Sequence, residues 1–186
     1  LEGLLLGALL GSTDAASVFS ILRSRQLNLK YGTASMLEVE SGSNDPCAYM
    51  MTVILLSLMG TGGDMAVGTL IFSQLFFGLV CGGAIAWLAI QVLKRFEFET
   101  EGFNAAFVVA IALLSYALPG VLGGNGYLSA YLVGILLGNS DIPDKKTLVH
   151  FFDGVTGLMQ MLIFFLLGLL AFPSALPDVA FTGLLV

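Results

Sequence analysis

The sequence predicts an all-α fold, a polytopic bundle of transmembrane helices with about six spans. Three observations predict it. The 186 residues are 57% hydrophobic and only 11% charged, where soluble domains average about 25% charged. Mean hydropathy is +0.94. Apolar runs close to the ~20 residues that cross a bilayer recur along the chain. Between them fall short loops with helix breakers, Gly60 to Gly63, Pro119 to Gly126, Pro143, and Pro173 with Pro177.

The spans take their places in order. The first, 1–22, contains Gly11-Ser12-Thr13-Asp14. Small and hydroxylated residues in a row interrupt a transmembrane helix, so a broken helix is expected near Thr13-Asp14, with backbone carbonyls turned to a cavity. The second, 34–59, contains Glu40-Ser41-Gly42-Ser43-Asn44-Asp45-Pro46. Pro46 has no N–H to give to the preceding turn and loosens it. The third, 66–93, is long enough to tilt or to include an interfacial turn. The fourth, fifth and sixth cover 103–119, 126–140 and 154–172, and a seventh begins near Ala180. Glycines recur every fourth residue at Gly3, Gly7 and Gly11, at Gly78 and Gly82, and at Gly134 and Gly138. That spacing predicts close helix packing. The run MQMLIFFLLGLL reads as lipid-facing or packing groups. Cys47 and Cys81 lie in apolar runs and read as buried free thiols. Two Cys and one His make no metal cluster. The chain starts at Leu1 and stops at Val186 inside an apolar run. It is expected to be one partial transmembrane domain, 1–186, forming the central spans of a larger fold.

Charge sets the topology. All seven basic residues lie in or beside the first, third and fifth loops: Arg23, Arg25 and Lys30, then Lys94 and Arg95, then Lys145 and Lys146. The positive-inside rule makes these loops cytoplasmic and puts residue 1 on the outer side. The net charge of −6 and the absence of a basic stripe exclude a nucleic-acid partner. Asp14 lies nine residues before Arg23 and Asp45 eleven after Ala34. At ~1.5 Å per residue both carboxylates fall ~13–17 Å from the cytoplasmic edge, near the midplane of a ~30 Å core.

A charged side chain at that depth costs at least ~2.5–3.5 kcal/mol and marks an ion or proton path. Ser41 and Asp45 share one helix face by their four-residue spacing, and Glu40 and Asn44 share the next. The Ser41 hydroxyl, the Asp45 and Asp14 carboxylates, and the carbonyl and hydroxyl of Thr13 are oxygen ligands suited to a hard cation. Burial favours the protonated form of a carboxylate, and an approaching cation favours the charged form. The same oxygens then hold a proton or a cation in turn, and such competition combined with alternating access makes an exchanger. Glu40, ~7 Å closer to the cytoplasm than Asp45, calls for a partner outside these spans, or else is protonated or faces water. Glu38, Glu2, Glu97, Glu99 and Glu101 read as solvated ends and loops. Asp141, Asp144, His150 and Asp153 gather at the cytoplasmic interface, where His150 offers a pH-sensing alternative to simple solvation.

On these residues the chain resembles the bacterial cation:proton antiporters of the sodium–proton exchanger superfamily. The resemblance is carried by Thr13-Asp14, by Glu40-Ser41-x-x-Asn44-Asp45 and by GNGYLSAYLVGILLGN at 124–139. The run FFDGVTGLMQMLIFFLLGLLAFPS resembles the potassium–proton antiporter branch, also called cell volume regulation protein A. The resemblance covers essentially the whole chain. It implies a fold of about a dozen spans with inverted repeats and two crossing broken helices. It implies that Asp45 binds the ion and the proton, that Asp14, the Thr13 carbonyl and Ser41 complete the site, and that Asn44 and Glu40 form a structural polar pair. It also implies that Glu40 is bridged to an arginine of a later span, that Asn-Asp rather than Asp-Asp goes with electroneutral exchange, and that the whole protein is a homodimer.

The function expected is secondary active exchange of potassium or sodium for protons across a bacterial inner membrane, serving pH and volume homeostasis. No enzyme chemistry and no cofactor is called for. A gated cation channel or efflux system would use the same carboxylates as a selectivity ring, and a non-transporting membrane scaffold would leave them dispensable. No Ser/His/Asp arrangement falls at one depth to support an enzyme.

Overall fold

The computed structural model describes residues 1–12, 29–60, 66–95 and 101–175. Six α-helices follow in order: α1 (Glu2–Leu10), α2 (Thr33–Leu58), α3 (Val67–Arg95), α4 (Glu101–Val121), α5 (Gly126–Asn139) and α6 (Lys145–Leu170). Single 3-10 turns stand at Lys30–Gly32 and Pro173–Ala175. There is no strand among the described residues. Of the helices, α3, α4 (from Gly102) and α6 are long and apolar enough to cross a membrane. α2 matches them in length with 26 residues but carries Glu38, Glu40 and Asp45, and α5 is short at 14 residues.

Four helices, α2 to α5, stand within two residues of the expected spans, and α1 covers the start of the first, whose residues 13–22 lie outside the described residues. The sixth begins nine residues early, at Lys145 instead of 154. Its first turns carry Lys145, Lys146, His150 and Asp153, so a reading of apolar runs cuts them off. Asp144 precedes this helix in a left-handed conformation, φ 52°, which Asp tolerates better than most residues.

The chain falls into two compact units, Leu1–Pro143 and Asp144–Val186. In the first, α3 and α5 make the most extensive pairing, α4 packs on both, and α2 bridges α1 to α3 and α5. The core of this unit is mostly apolar, with Ile54, Leu70, Ile85, Leu93 and Val133 buried, but polar side chains are buried among them and large apolar ones face outward. Ser73, Gln74, Asn104, Ser115, Asn125 and Ser129 are buried, while Phe72, Trp87, Leu113 and Val121 are more than half exposed. Buried polar groups beneath an apolar surface suit lipid, where helices associate through close packing and interhelical hydrogen bonds. Hydroxyls bond back along their own helices, Thr52 to the Ala48 carbonyl at 2.8 Å and Ser115 to the Ala112 carbonyl at 2.8 Å.

The glycine stripes divide. Gly78 and Gly82 lie against α5: a Cβ on Gly82 would stand 3.0 Å from the Cα and carbonyl oxygen of Ser129. Gly3, Gly7, Gly134 and Gly138 face open space within the described residues, and a Cβ on Gly11 would meet only the α1 carbonyls of Gly7 and Ala8. Small residues permit close approach; they do not by themselves bring a neighbour. Cys81 is buried as expected, but Cys47 is exposed, because it lies on the open side of α2 that turns to α1.

α4 and α5 meet in a tight corner. The Pro119 carbonyl accepts from Leu122 N at 3.0 Å and Gly124 N at 2.7 Å. Gly123 takes φ 77° there, a conformation that favours glycine. This corner delivers Asn125 to the interior, at the start of α5.

Candidate functional site

Asp45 stands at the middle of α2, twelve residues from Thr33 and thirteen from Leu58. Successive residues turn ~100° around a helix, which sorts this stretch into three faces. Val39, Gly42 and Pro46 share the face that meets α5. Asn44, Cys47, Ala48, Met51 and Leu55 share the opposite face, where α1 lines the other side of a groove of ≈430 Å³. Ser41, Asp45 and Tyr49 form the strip between, at four-residue intervals.

α1 ends at Leu10, and Gly11 and Ser12 have left the helix. The helix thus stops where the break is expected. The Ser12 hydroxyl donates to Asp45 Oδ1. Thr13 and Asp14 lie outside the described residues, so the structure says of them only that their chain neighbour reaches Asp45. Ser41 is half-buried one turn before Asp45, and Asn44 is half-buried on the groove. Asp45 and Glu40 are exposed. The burial expected for both is absent within this unit, since no described helix covers the strip or the Glu40 side. The Ser43 hydroxyl, in turn, donates to the Glu40 carbonyl at 3.0 Å.

On its other face α2 is held through its backbone. Asn125 Nδ2 donates to the Pro46 carbonyl at 2.9 Å, and the Tyr131 hydroxyl donates to the Val39 carbonyl at 3.2 Å. The Tyr131 ring lies against Gly42, where a Cβ would fall 2.5 Å from Cε2. One turn beyond Asp45, the Tyr49 ring centroid lies 5.0 Å from that of Tyr127, which lies 5.1 Å from that of Tyr116. These three rings, with Ala117, Gly120, Gly124 and Gly126, line a cavity of ≈110 Å³. A half-exposed carboxylate flanked by hydroxyl oxygens can bind a proton or a hard cation. Among the described residues no group of His, Cys, Asp and Glu could hold a multivalent metal centre.

The family model described as sodium/hydrogen exchanger, transmembrane, matches residues 1–186. The chain belongs to the sodium/hydrogen exchanger family. This exchanger chain is 40% identical over 191 residues to the K(+)/H(+) antiporter NhaP2 of Shewanella oneidensis, covering 99% of the chain and 32% of the relative. It is 37% identical over 193 residues to the K(+)/H(+) antiporter NhaP of Alkalimonas amylolytica, covering 100% and 33%. It is 27% identical over 179 residues to the probable Na(+)/H(+) antiporter 2 of Methanocaldococcus jannaschii, covering 90% and 42%. The exchanger chain thus spans about a third of the length of the K(+)/H(+) relatives. No solved structure matches it. Family and apolar helices together make it an integral membrane protein.

Two residues of the exchanger escaped the reading of charged groups. Asn125 and Tyr131 are neutral, and they act on backbone carbonyls rather than on an ionised partner. The signal for Asn125 was present in Gly124-Asn125-Gly126 ahead of an apolar run, the pattern of a helix N-cap. Nothing in the sequence indicates that its second amide group reaches Pro46.

Proposed function

We propose that this chain supplies a cation- and proton-binding half-site of a monovalent cation:proton antiporter in a bacterial inner membrane. The observation that carries the reading is the hydrogen bond from Ser12 to Asp45. It joins the residue preceding Thr13-Asp14 to the centre of α2, which supports a site shared by the two polar motifs. Asp45 is the shared ligand: ionised, it binds the cation with Ser41, the Thr13 carbonyl and Asp14; protonated, it releases it. Asn44 and Glu40 form the structural polar pair beside it. One titrating carboxylate at Asn44-Asp45 suits one proton per monovalent cation. Potassium is the favoured cargo, because relatives 37–40% identical carry the name K(+)/H(+) antiporter. The first, third and fifth loops face the cytoplasm, the working protein is a homodimer, and the helices that bear the site move against the rest of the bundle to expose it to each side in turn.

The test is the full-length protein in liposomes with an acid interior. Potassium, sodium or lithium is added outside and internal pH is followed, with Asp45→Asn in parallel. The reading expects a cation to dissipate the gradient in the wild type and not in the variant. Equal traces in both overturn it.

A further inference from the structure

Asn125 is 1% exposed and uses every polar group it has. Its backbone N–H donates to the Gln74 carbonyl of α3 at 3.1 Å, and its carbonyl accepts from Ser129 N at 3.2 Å. Its Oδ1 accepts from Leu128 N at 3.1 Å, capping α5, and its Nδ2 donates to the Pro46 carbonyl of α2 at 2.9 Å. The residue therefore ties three helices together, its backbone to α3 and its side chain to α5 and, 79 positions away along the chain, to Pro46 of α2. The link to α2 falls on the residue next to Asp45.

The chemistry of Pro46 sharpens the point. Proline cannot donate to the Gly42 carbonyl, so the helix has lost its own bond across this turn. The stretch that bears Ser41 and Asp45 is the least self-supporting part of α2. The bond from Asn125 lies at one end of it and the bond from Tyr131 to Val39 at the other. Gly42, between them, admits the Tyr131 ring.

We propose that Asn125 is a positioning residue for the exchange site, setting the height and rotation of Asp45 by holding the Pro46 carbonyl. The inference rests on the antiporter reading and adds a residue to it. Asn125 touches neither cation nor proton. It determines how much of the population presents Asp45 in the binding geometry, and apparent affinity scales with that fraction.

Asn125→Ser and Asn125→Asp separate this role from the cap. Both residues cap helices well, and neither can give an N–H to Pro46. The full-length protein is reconstituted with each variant, with the wild type, with Asp45→Asn and with Ser129→Ala. Ser129 is equally buried at the same α3–α5 contact, and its Oγ has no hydrogen-bond partner among the described residues. Potassium-driven alkalinisation gives apparent KM and maximal rate, and thermal unfolding of the purified protein checks the fold. The expected result is an apparent KM raised at least about fivefold in both Asn125 variants, the loss of roughly one hydrogen bond, with Ser129→Ala unchanged. If both Asn125 variants unfold near the wild-type temperature and keep its KM, the positioning role is overturned while the antiporter reading stands. If both lose the folded state, Asn125 is a structural residue and the positioning role is again overturned. If the wild type moves no protons in response to a cation, or Asp45→Asn matches it, the antiporter reading fails and this inference falls with it.

Discussion

Ser12 and Asp45, 33 positions apart, are joined by a hydrogen bond in which the serine hydroxyl donates to the carboxylate. The donor belongs to the stretch where α1 has given way and the acceptor to the centre of α2. A hydroxyl in that place does two things. It orders the carboxylate, and it leaves the second carboxylate oxygen for a cation.

Removing the donor should weaken the site without emptying it. Ser12→Ala is expected to raise the apparent cation KM at least about tenfold, a hydrogen bond to a charged group being worth about 1.5–3 kcal/mol. Ser12→Thr keeps the hydroxyl and should stay within about twofold of the wild type. Kinetics of cation-driven proton movement in proteoliposomes check both.

The contact between α2 and α5 gives a coupling prediction. A methyl group on Gly42 would fall 2.5 Å from Tyr131 Cε2, and the ring is tethered by its hydroxyl to Val39. Gly42→Ala should lower stability by about 1–3 kcal/mol, the range for overpacking. In a Tyr131→Leu background the same change should cost less, and thermal unfolding of the four proteins measures the difference.

Glycines of similar appearance should behave differently. A Cβ on Gly126 collides with the backbone carbonyl of Tyr116, which cannot turn aside, whereas one on Gly134 meets nothing within 4 Å among the described residues. Gly126→Ala is expected to prevent assembly of a stable protein. Gly134→Ala should be neutral or stabilising by up to ~0.5–1 kcal/mol through helix propensity. Yield of monodisperse protein in detergent and its unfolding temperature decide the comparison.

Gln74 offers a stabilising change. It is 3% exposed, and neither its side-chain oxygen nor its nitrogen has a hydrogen-bond partner among the described residues. An unsatisfied buried amide costs about 1–3 kcal/mol. Gln74→Met keeps the length and removes the polar atoms, so it should raise the unfolding temperature; a lower one shows that the amide has a partner beyond these helices.

Much of this was legible in the sequence, for reasons that also mark the limit. Apolar run length placed α2, α3, α4 and α5 to within two residues at every end, because spanning helices are bounded by breakers and charge. Counting residues along neighbouring helices predicts that Asp14 and Asp45 share one depth; Thr13 and Asp14 lie outside the described residues, and Ser12, the residue before them, reaches Asp45. What was not legible needs a second surface. The four-residue glycine spacing at Gly82 and at Gly134 is the same, yet among the described residues only Gly82 of the two has a helix against it. The Asn125 cap could be read from its flanking glycines, but the carbonyl it holds lies on another helix and leaves no trace in local pattern. The exposure of Asp45 and Glu40 depends on which helices cover them, which composition does not encode.

The central claim is that cation and proton compete for Asp45, and the dependence of apparent cation KM on pH tests it most directly. In liposomes of the full-length protein, competition predicts that KM rises as pH falls, with maximal rate at saturating cation unchanged. A KM that stays constant while the maximal rate falls with pH contradicts the claim, since it places the proton at a group other than the one that binds the cation.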